Sequence, residues 1–181
     1  MTIADNKREE NIIEFLLYVW QMEDLIRATG FNQEIIGSIL SSQFEGDQLI
    51  AEGQWFTDLA RQMKSQKLEK SGHVGEVHEL MNELVFLHNS LLNVFQDKDY
   101  IRAYEAAKPD LAVFVERSNQ KFSSEIEPGL VALYGLLTLR LKQVEISQGT
   151  EESMEKFKKM FAHLADRYRK MKKGELGLNA N

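Results

Sequence analysis

Hydrophobic residues recur every three to four positions along almost the whole chain, which is the period of an amphipathic helix. No stretch shows the strict apolar and polar alternation, bounded by turn residues, that is typical of a half-buried strand. The connections between the helical stretches are short, which favours antiparallel neighbours. The pattern therefore predicts an all-α protein, a compact antiparallel helical bundle of about six to seven helices. The last helix shows the period most clearly, with apolar residues at Met154, Phe157, Met160, Phe161, Leu164, Ala165, Tyr168 and Met171.

Residues that commonly cap or close helices mark the predicted boundaries. The expected helices run from Asp5 to Gly30, Asn32 to Phe44, Gly46 to Ser71, Gly75 to Gln96, Asp97 or Asp99 through a kink or restart at Pro109, Ser124 to Ser147, and Thr150 to Lys173. We expect one domain over residues 1–181, with a short flexible C-terminal tail from about residue 174.

Composition excludes several classes of function. The 181 residues include no Cys, so disulfides, thiolate zinc sites and a cysteine nucleophile are ruled out. The formal net charge of -6 argues against a nucleic-acid-binding protein, which usually carries a basic surface. The longest nearly apolar run, Leu130 to Leu139, is shorter than the ~20 residues of a spanning helix. We therefore expect a soluble cytoplasmic protein that binds neither nucleic acid nor membrane.

Four polar residues fall on helix faces that are otherwise apolar. Glu23 projects into the apolar arc of the first helix, and Arg27 follows it one turn later. His88 lies among the core positions of the fourth helix, and Arg140 lies at the edge of the apolar seam of the sixth. A buried carboxylate needs a partner, and a guanidinium suits it because it can offer two parallel donors. We therefore expect the four residues to converge, with Glu23 ionised and paired with Arg27 or Arg140.

This cluster of Glu23, Arg27, His88 and Arg140 has two interpretations. It can be a satisfied buried network that fixes the register of the helices. Alternatively, it can form a small ligand-binding pocket for an anionic ligand, with arginine as the clamp and His88 as a proton carrier. The sequence leaves both open.

The sequence identifies no catalytic residue, and we expect neither a metal nor a cofactor. No Glu stands three residues before a His, as helical di-iron sites require. No two His residues have the spacing of four that a helical zinc site requires, since His73 and His78 are five apart. Glu76, Glu79 and Glu83 share one side of the fourth helix. This cluster loosely resembles the acidic residues that magnesium-dependent nucleotide pyrophosphohydrolases present from pairs of helices. Here the next helix has no clear matching acidic pair.

An irregular apolar segment surrounds Pro109. Its members are Tyr100, Tyr104, Leu111, Phe114 and Val115. A kinked helix can expose apolar side chains that a regular bundle would bury. We expect this segment to form a pocket wall or a dimer contact.

Two long segments resemble a known family. The first is Asn11 to Ala28, which contains EFLLYVWQMEDLIRA, and the second is Glu125 to Ser147, which contains ALYGLLTLRLKQVEIS. Together with Gln54-Trp55, Gly72-His73 and Leu87-His88, they resemble an uncharacterised all-helical domain-of-unknown-function family of Bacteroidota. The resemblance implies a bacterial cytoplasmic helical protein and supplies no activity and no functional residues.

Two functions are consistent with these observations. The first is a non-enzymatic helical protein that acts through protein association, as a homodimer or on a protein partner. The second is a ligand-binding or catalytic helical bundle that uses the inward Glu, Arg and His residues.

Overall fold

The computed structural model describes residues 1–176, and every regular element within them is an α-helix, which confirms the all-α prediction. The helices are α1 (Ile3–Glu10), α2 (Ile12–Ala28), α3 (Gln33–Ser41), α4 (Gly46–Ser65), α5 (Gly75–Asn93), α6 (Lys98–Ser118), α7 (Glu127–Leu141) and α8 (Gln148–Lys172). The predicted flexible tail from about residue 174 lies largely outside the described residues.

The described residues form eight helices, one more than the upper end of our expectation, because the first predicted helix is two helices. Asn11 separates them with an extended backbone, at φ -153° and ψ 103°. Its side chain accepts hydrogen bonds from the backbone N–H groups of Ile13 and Glu14. Asn11 thus ends α1 and caps α2, as asparagine does when its side chain competes with the helix for backbone donors.

The chain divides into two compact units, and the boundary between them falls inside α5. Unit 1 is Met1–Met81, where α2 packs against α1 and α4 and α3 packs against α4. The start of α1 is held by Glu52 of α4, which is 0% exposed and accepts the N–H of Ile3 at 2.7 Å. The same oxygen accepts the side-chain amide of Gln48 at 2.7 Å. A carboxylate at a helix N-terminus also suits the helix dipole.

Unit 2 starts at Asn82, and its core forms where α6 and α7 pack against α8. The apolar stripe predicted for the last helix is largely buried: Phe157, Met160 and Leu164 are each 0% exposed. Asp97 caps α6 by accepting the N–H of Tyr100, which decides between the two capping candidates.

Several predicted boundaries were wrong. Helix α6 runs through Pro109 without restarting, so proline is accommodated inside the helix. Helix α7 ends at Leu141 instead of Ser147. Ser147 then caps α8 by accepting the N–H of Thr150, and Gly149 lies inside α8 instead of closing the preceding helix. Ser147, Gly149 and Thr150 all resemble boundary residues, so the pattern alone could not order them.

Gly129 of α7 lies close to side chains of α6 and α8. A Cβ atom there would come within 2.8 Å of Phe161 and 3.1 Å of Leu111. We expect Gly129→Ala to lower the free energy of unfolding by about 1–3 kcal/mol, because extra atoms in a packed core force side chains apart. Urea denaturation measures this change.

Gly135, on the same helix, provides the matched control. A Cβ atom there would meet nothing within 4 Å. Gly135→Ala should therefore raise stability by about 0.5–1 kcal/mol, because glycine inside a helix costs backbone entropy. Equal effects of the two substitutions would show that α7 is not packed at Gly129 as described.

Candidate functional site

Buried Glu23 pairs with a partly exposed histidine of unit 1. Its side chain on α2 is 0% exposed, as the apolar arc predicted. One carboxylate oxygen lies 2.5 Å from Nδ1 of His73, and the other accepts the backbone N–H of Val74 at 2.8 Å. The His73 ring stacks on Trp20, with centroids 4.7 Å apart and an interplanar angle of 18°. Glu23 thus holds the 73–74 segment against α2.

The prediction that an arginine pairs with Glu23 was wrong. In the described residues, its carboxylate bonds a histidine and a backbone amide instead. Arg27 donates to Asp24 at 2.8 Å and to the backbone carbonyls of Leu68 and Gly72. Arg27 therefore holds the connection between α4 and α5 by hydrogen bonds. The acceptors include backbone carbonyl oxygens, which a pattern of side chains does not reveal.

His88 is the centre of a second network, in unit 2. It is 1% exposed, as expected, and its Nδ1 lies 2.7 Å from the hydroxyl of Tyr100. Its Nε2 lies 3.4 Å from Glu125 Oε2, which also accepts the hydroxyl of Tyr104 at 2.7 Å. Both ring nitrogens of His88 have a suitable hydrogen-bond partner when the Tyr100 hydroxyl donates to Nδ1 and the Nε2–H donates to Glu125. The network links α5, α6 and the segment before α7.

Burial and hydrogen bonding determine the charges of this network. Burial lowers the pKa of His88, although Glu125 acts in the opposite direction, so the ring is neutral at pH 7. The bond from Tyr104 lowers the pKa of Glu125, so this carboxyl group is ionised. Burial raises the pKa values of Tyr100 and Tyr104, and both stay protonated. The network therefore carries a single negative charge, on Glu125.

Arg140 is exposed instead of inward-facing. Its guanidinium contacts both carboxylate oxygens of Glu151, at 2.7 and 3.0 Å, and its side chain is 48% exposed. Since α7 ends one residue later, Arg140 reaches the first turn of α8, where Glu151 lies. The four residues expected to converge therefore have separate partners: His73 and Val74 for Glu23, Asp24 for Arg27, Tyr100 and Glu125 for His88, and Glu151 for Arg140.

A groove of about 620 Å³ lies beside the His88 network, between α6 and the segment that leads into α7. Its apolar lining residues are Leu111, Ala112, Val115, Phe122 and Pro128. Its polar lining residues are Tyr104, Lys108, Gln120, Lys121, Ser123, Ser124 and Glu125. Glu125 and Tyr104 thus belong both to the groove and to the network behind it.

The groove agrees with the expectation of a pocket wall near Pro109. Tyr104, Leu111 and Val115 line it, as the irregular apolar pattern indicated. Tyr100 is instead 0% exposed and serves the network, while Phe114 lines a different cavity at the start of α8. The sequence analysis placed Glu125 near the start of the helix predicted from Ser124 and did not single it out, whereas in the structure it precedes α7.

Two of the three acidic residues singled out on α5 pair with other side chains. Glu76 pairs with Arg8, while Glu83 accepts the hydroxyl of Tyr168 and pairs with Lys172. Within residues 1–176, no group of three or more potential metal ligands is close enough together to hold an ion. None of the helices in this part of the chain combines the length and the hydropathy needed to span a bilayer.

Comparison with known proteins yields a family without an assigned activity. A family model described as Domain of unknown function (DUF4924) matches residues 1–175. No curated protein matches the chain. No solved structure matches it either.

Proposed function

The chain belongs to the DUF4924 family, and from that premise we propose that it acts through protein association, by binding a segment of a partner protein in the groove of unit 2. The observation that carries this proposal is the groove itself, an open surface with aliphatic and aromatic lining residues next to a hydrogen-bonded polar network. Amphipathic helices commonly bind in such grooves through one apolar face.

The open form of the groove favours a protein segment over a small molecule. Sites for small molecules usually enclose about 70–90% of the ligand surface. Here one side is formed by α6 and the other by residues 120–128, and the space between them is open. Val115 contributes apolar surface that is 36% exposed. A helix laid along the groove would cover this surface.

The charges around the groove favour an acidic partner. Lys108 and Lys121 line it, and both are exposed. Glu125 is the acidic lining residue, and its Oε2 already accepts the hydroxyl of Tyr104 and contacts His88. Lys108 lies 3.6 Å from the exposed Glu105, a surface contact that contributes at most about 1 kcal/mol, so both ammonium groups can still reach carboxylates of a partner. We propose a partner segment that carries aliphatic residues on one face and Asp or Glu beside them.

Binding of a defined peptide tests this proposal. The probe is a labelled synthetic helix built from leucine and glutamate at helical spacing, and its counterpart carries lysine in place of glutamate. Fluorescence anisotropy should show tighter binding of the acidic peptide, weakened by salt because exposed charges are screened. Reversing both lysines, in Lys108→Glu with Lys121→Glu, should weaken binding by roughly twofold to thirtyfold, given about 0.2–1 kcal/mol for each of two exposed pairs.

Lys142→Glu is the matched control, because Lys142 is also exposed but lies outside the groove. It should bind the acidic peptide as the unmodified chain does. Equal losses for the control and the double variant would refute the assignment to the groove. Sedimentation that shows self-association through the groove would assign it to a second copy of the chain and overturn the proposed partner.

Two further properties belong to this proposal. The resemblance to a family of Bacteroidota supports a bacterial origin and a cytoplasmic location, and the Cys-free composition suits a reducing compartment. The match of one family model to residues 1–175 supports a single domain, and the short connections support antiparallel helices.

A further inference from the structure

We propose that His73 and His78 of unit 1 form a two-histidine site for a divalent transition-metal ion. The site is separate from the groove of unit 2 and uses residues that the proposed function does not involve. Three observations support it: the orientation of His73, its accessibility and the position of His78.

The buried Glu23 carboxylate orients the His73 ring. It contacts Nδ1 at 2.5 Å, so the neutral ring carries its proton there and presents an unprotonated Nε2. Metal-binding histidines almost always donate their second ring N–H to a carboxylate, a carbonyl or water, which fixes the tautomer and raises the basicity of the ligand nitrogen. Glu23 already supplies that contact.

His73 is also held in place and accessible. Its ring stacks on Trp20, and its side chain is 34% exposed even though its partner Glu23 is fully buried. Among the described residues, the hydrogen bond of the ring uses Nδ1, which leaves Nε2 for an external ligand. A ligand nitrogen that is already oriented loses little entropy when an ion binds.

His78 lies close enough to share the ion. The two ring centroids are 6.5 Å apart, with an interplanar angle of 63°. Two imidazoles on one ion, each with a metal–nitrogen distance of about 2.0–2.1 Å, have centroids roughly 5 to 6.5 Å apart. The observed separation is at the upper end of this range, and His78 is exposed, so its ring can rotate toward His73.

Residue spacing alone did not reveal this pair, because the spacing rule for helical zinc sites assumes that both residues lie on one helix. Helix α5 begins at Gly75, so His78 is helical and His73 belongs to the preceding connection. Glu23 positions that connection through Val74 and His73. Two residues five apart on one helix would lie on different faces, but this rule does not apply to His73 and His78.

Imidazole nitrogens favour copper, nickel and zinc over magnesium and calcium. Two protein ligands leave the remaining coordination positions to water. We therefore expect the affinity to follow the usual order, with Cu²⁺ bound more tightly than Zn²⁺.

Calorimetric titration of the full, tag-free chain with Cu²⁺ or Zn²⁺ alone tests the site. We expect one ion per chain, and the electron paramagnetic resonance spectrum of the Cu²⁺ form should show more than one nitrogen ligand. His73→Gln and His78→Gln should each abolish this binding. Glu23→Gln should weaken it by roughly 10–100-fold, as loss of a carboxylate that orients a ligand usually does.

His163→Gln is the control, because His163 lies on α8 in unit 2 and should not affect binding. Thermal melting confirms that each variant is folded. If His73→Gln fails to fold, the exposed His78 decides the question, since its replacement should leave the fold intact. No binding by the unmodified chain, or binding by His78→Gln that equals it, would overturn the proposal.

Discussion

Replacing Asp97 with alanine is expected to lower the free energy of unfolding by about 2–4 kcal/mol, because one side chain serves two purposes. Its Oδ1 caps α6 by accepting the N–H of Tyr100 at 3.0 Å. Its Oδ2 accepts Nε of Arg167, on α8, at 2.6 Å. A helix cap contributes about 1 kcal/mol, and a hydrogen bond between charged groups about 1.5–3 kcal/mol.

The Asp97–Arg167 pair is mostly shielded from water, with side-chain exposures of 15% and 18%. Burial by itself would raise the pKa of Asp97, but the bonds from Arg167 and Tyr100 outweigh it and the pKa is lowered. The ionised form is therefore the one that stabilises the fold. This contribution is present at neutral pH and is lost as the pH falls through the lowered pKa.

Two variants separate the roles of Asp97. Asp97→Asn should keep the cap, because asparagine caps helices well, and lose the charge that faces Arg167. Asp99→Ala removes an exposed acid two residues later that does not cap α6. Chemical denaturation should rank the losses Asp97→Ala, then Asp97→Asn, then Asp99→Ala. Similar small losses for Asp97→Ala and Asp99→Ala would contradict the description of both contacts.

Glu23→Gln is expected to lower the free energy of unfolding by about 1.5–3 kcal/mol, the usual contribution of a hydrogen bond to a charged group. Glutamine keeps the shape and can still accept the N–H of Val74. Glutamine lacks the negative charge that holds His73. Its NH₂ group, placed where the second carboxylate oxygen of Glu23 lies, cannot accept a hydrogen bond from Nδ1 of His73. The denaturation midpoint in urea measures the loss.

Glu14 provides the control on the same helix. Its side chain is 57% exposed and pairs with Lys7. Glu14→Gln should change stability by less than about 1 kcal/mol, because exposed ion pairs contribute little. Equal, small losses for the two substitutions would mean that Glu23 does not hold the 73–74 segment as described.

The helices could be predicted from the sequence because their signals are local. Apolar spacing placed the buried stripe of α8, and Asn32 caps α3 as its residue type indicated. Asn11 was missed because it ends a run of polar residues from Asp5 that contains no Gly or Pro to mark a break, while its side chain ends one helix and caps the next. A period reports which faces are buried and does not report a change in backbone direction.

The partners of the inward polar residues could not be predicted in the same way. The sequence placed Glu23 and His88 inside correctly, because position on an apolar face predicts burial. It did not find His73 or Glu125, which lie in connections without a helical period. Arg140 was misplaced because α7 ends sooner than its apolar run suggested. The periodicity of a helix predicts which of its side chains are buried. The hydrogen-bond partners of those side chains depend on the path of the connecting segments, which the periodicity does not predict.

Binding of an acidic partner helix in the groove is tested most directly by a nuclear magnetic resonance titration. The isotope-labelled chain is titrated with the leucine and glutamate helix, and the perturbed amides are mapped on the structure. We predict perturbations concentrated in residues 104–128, including Val115 and Phe122, that require a higher peptide concentration when Lys108 and Lys121 are reversed in charge. Perturbations confined to other parts of the chain, or a spectrum unchanged by the peptide, would contradict binding in the groove.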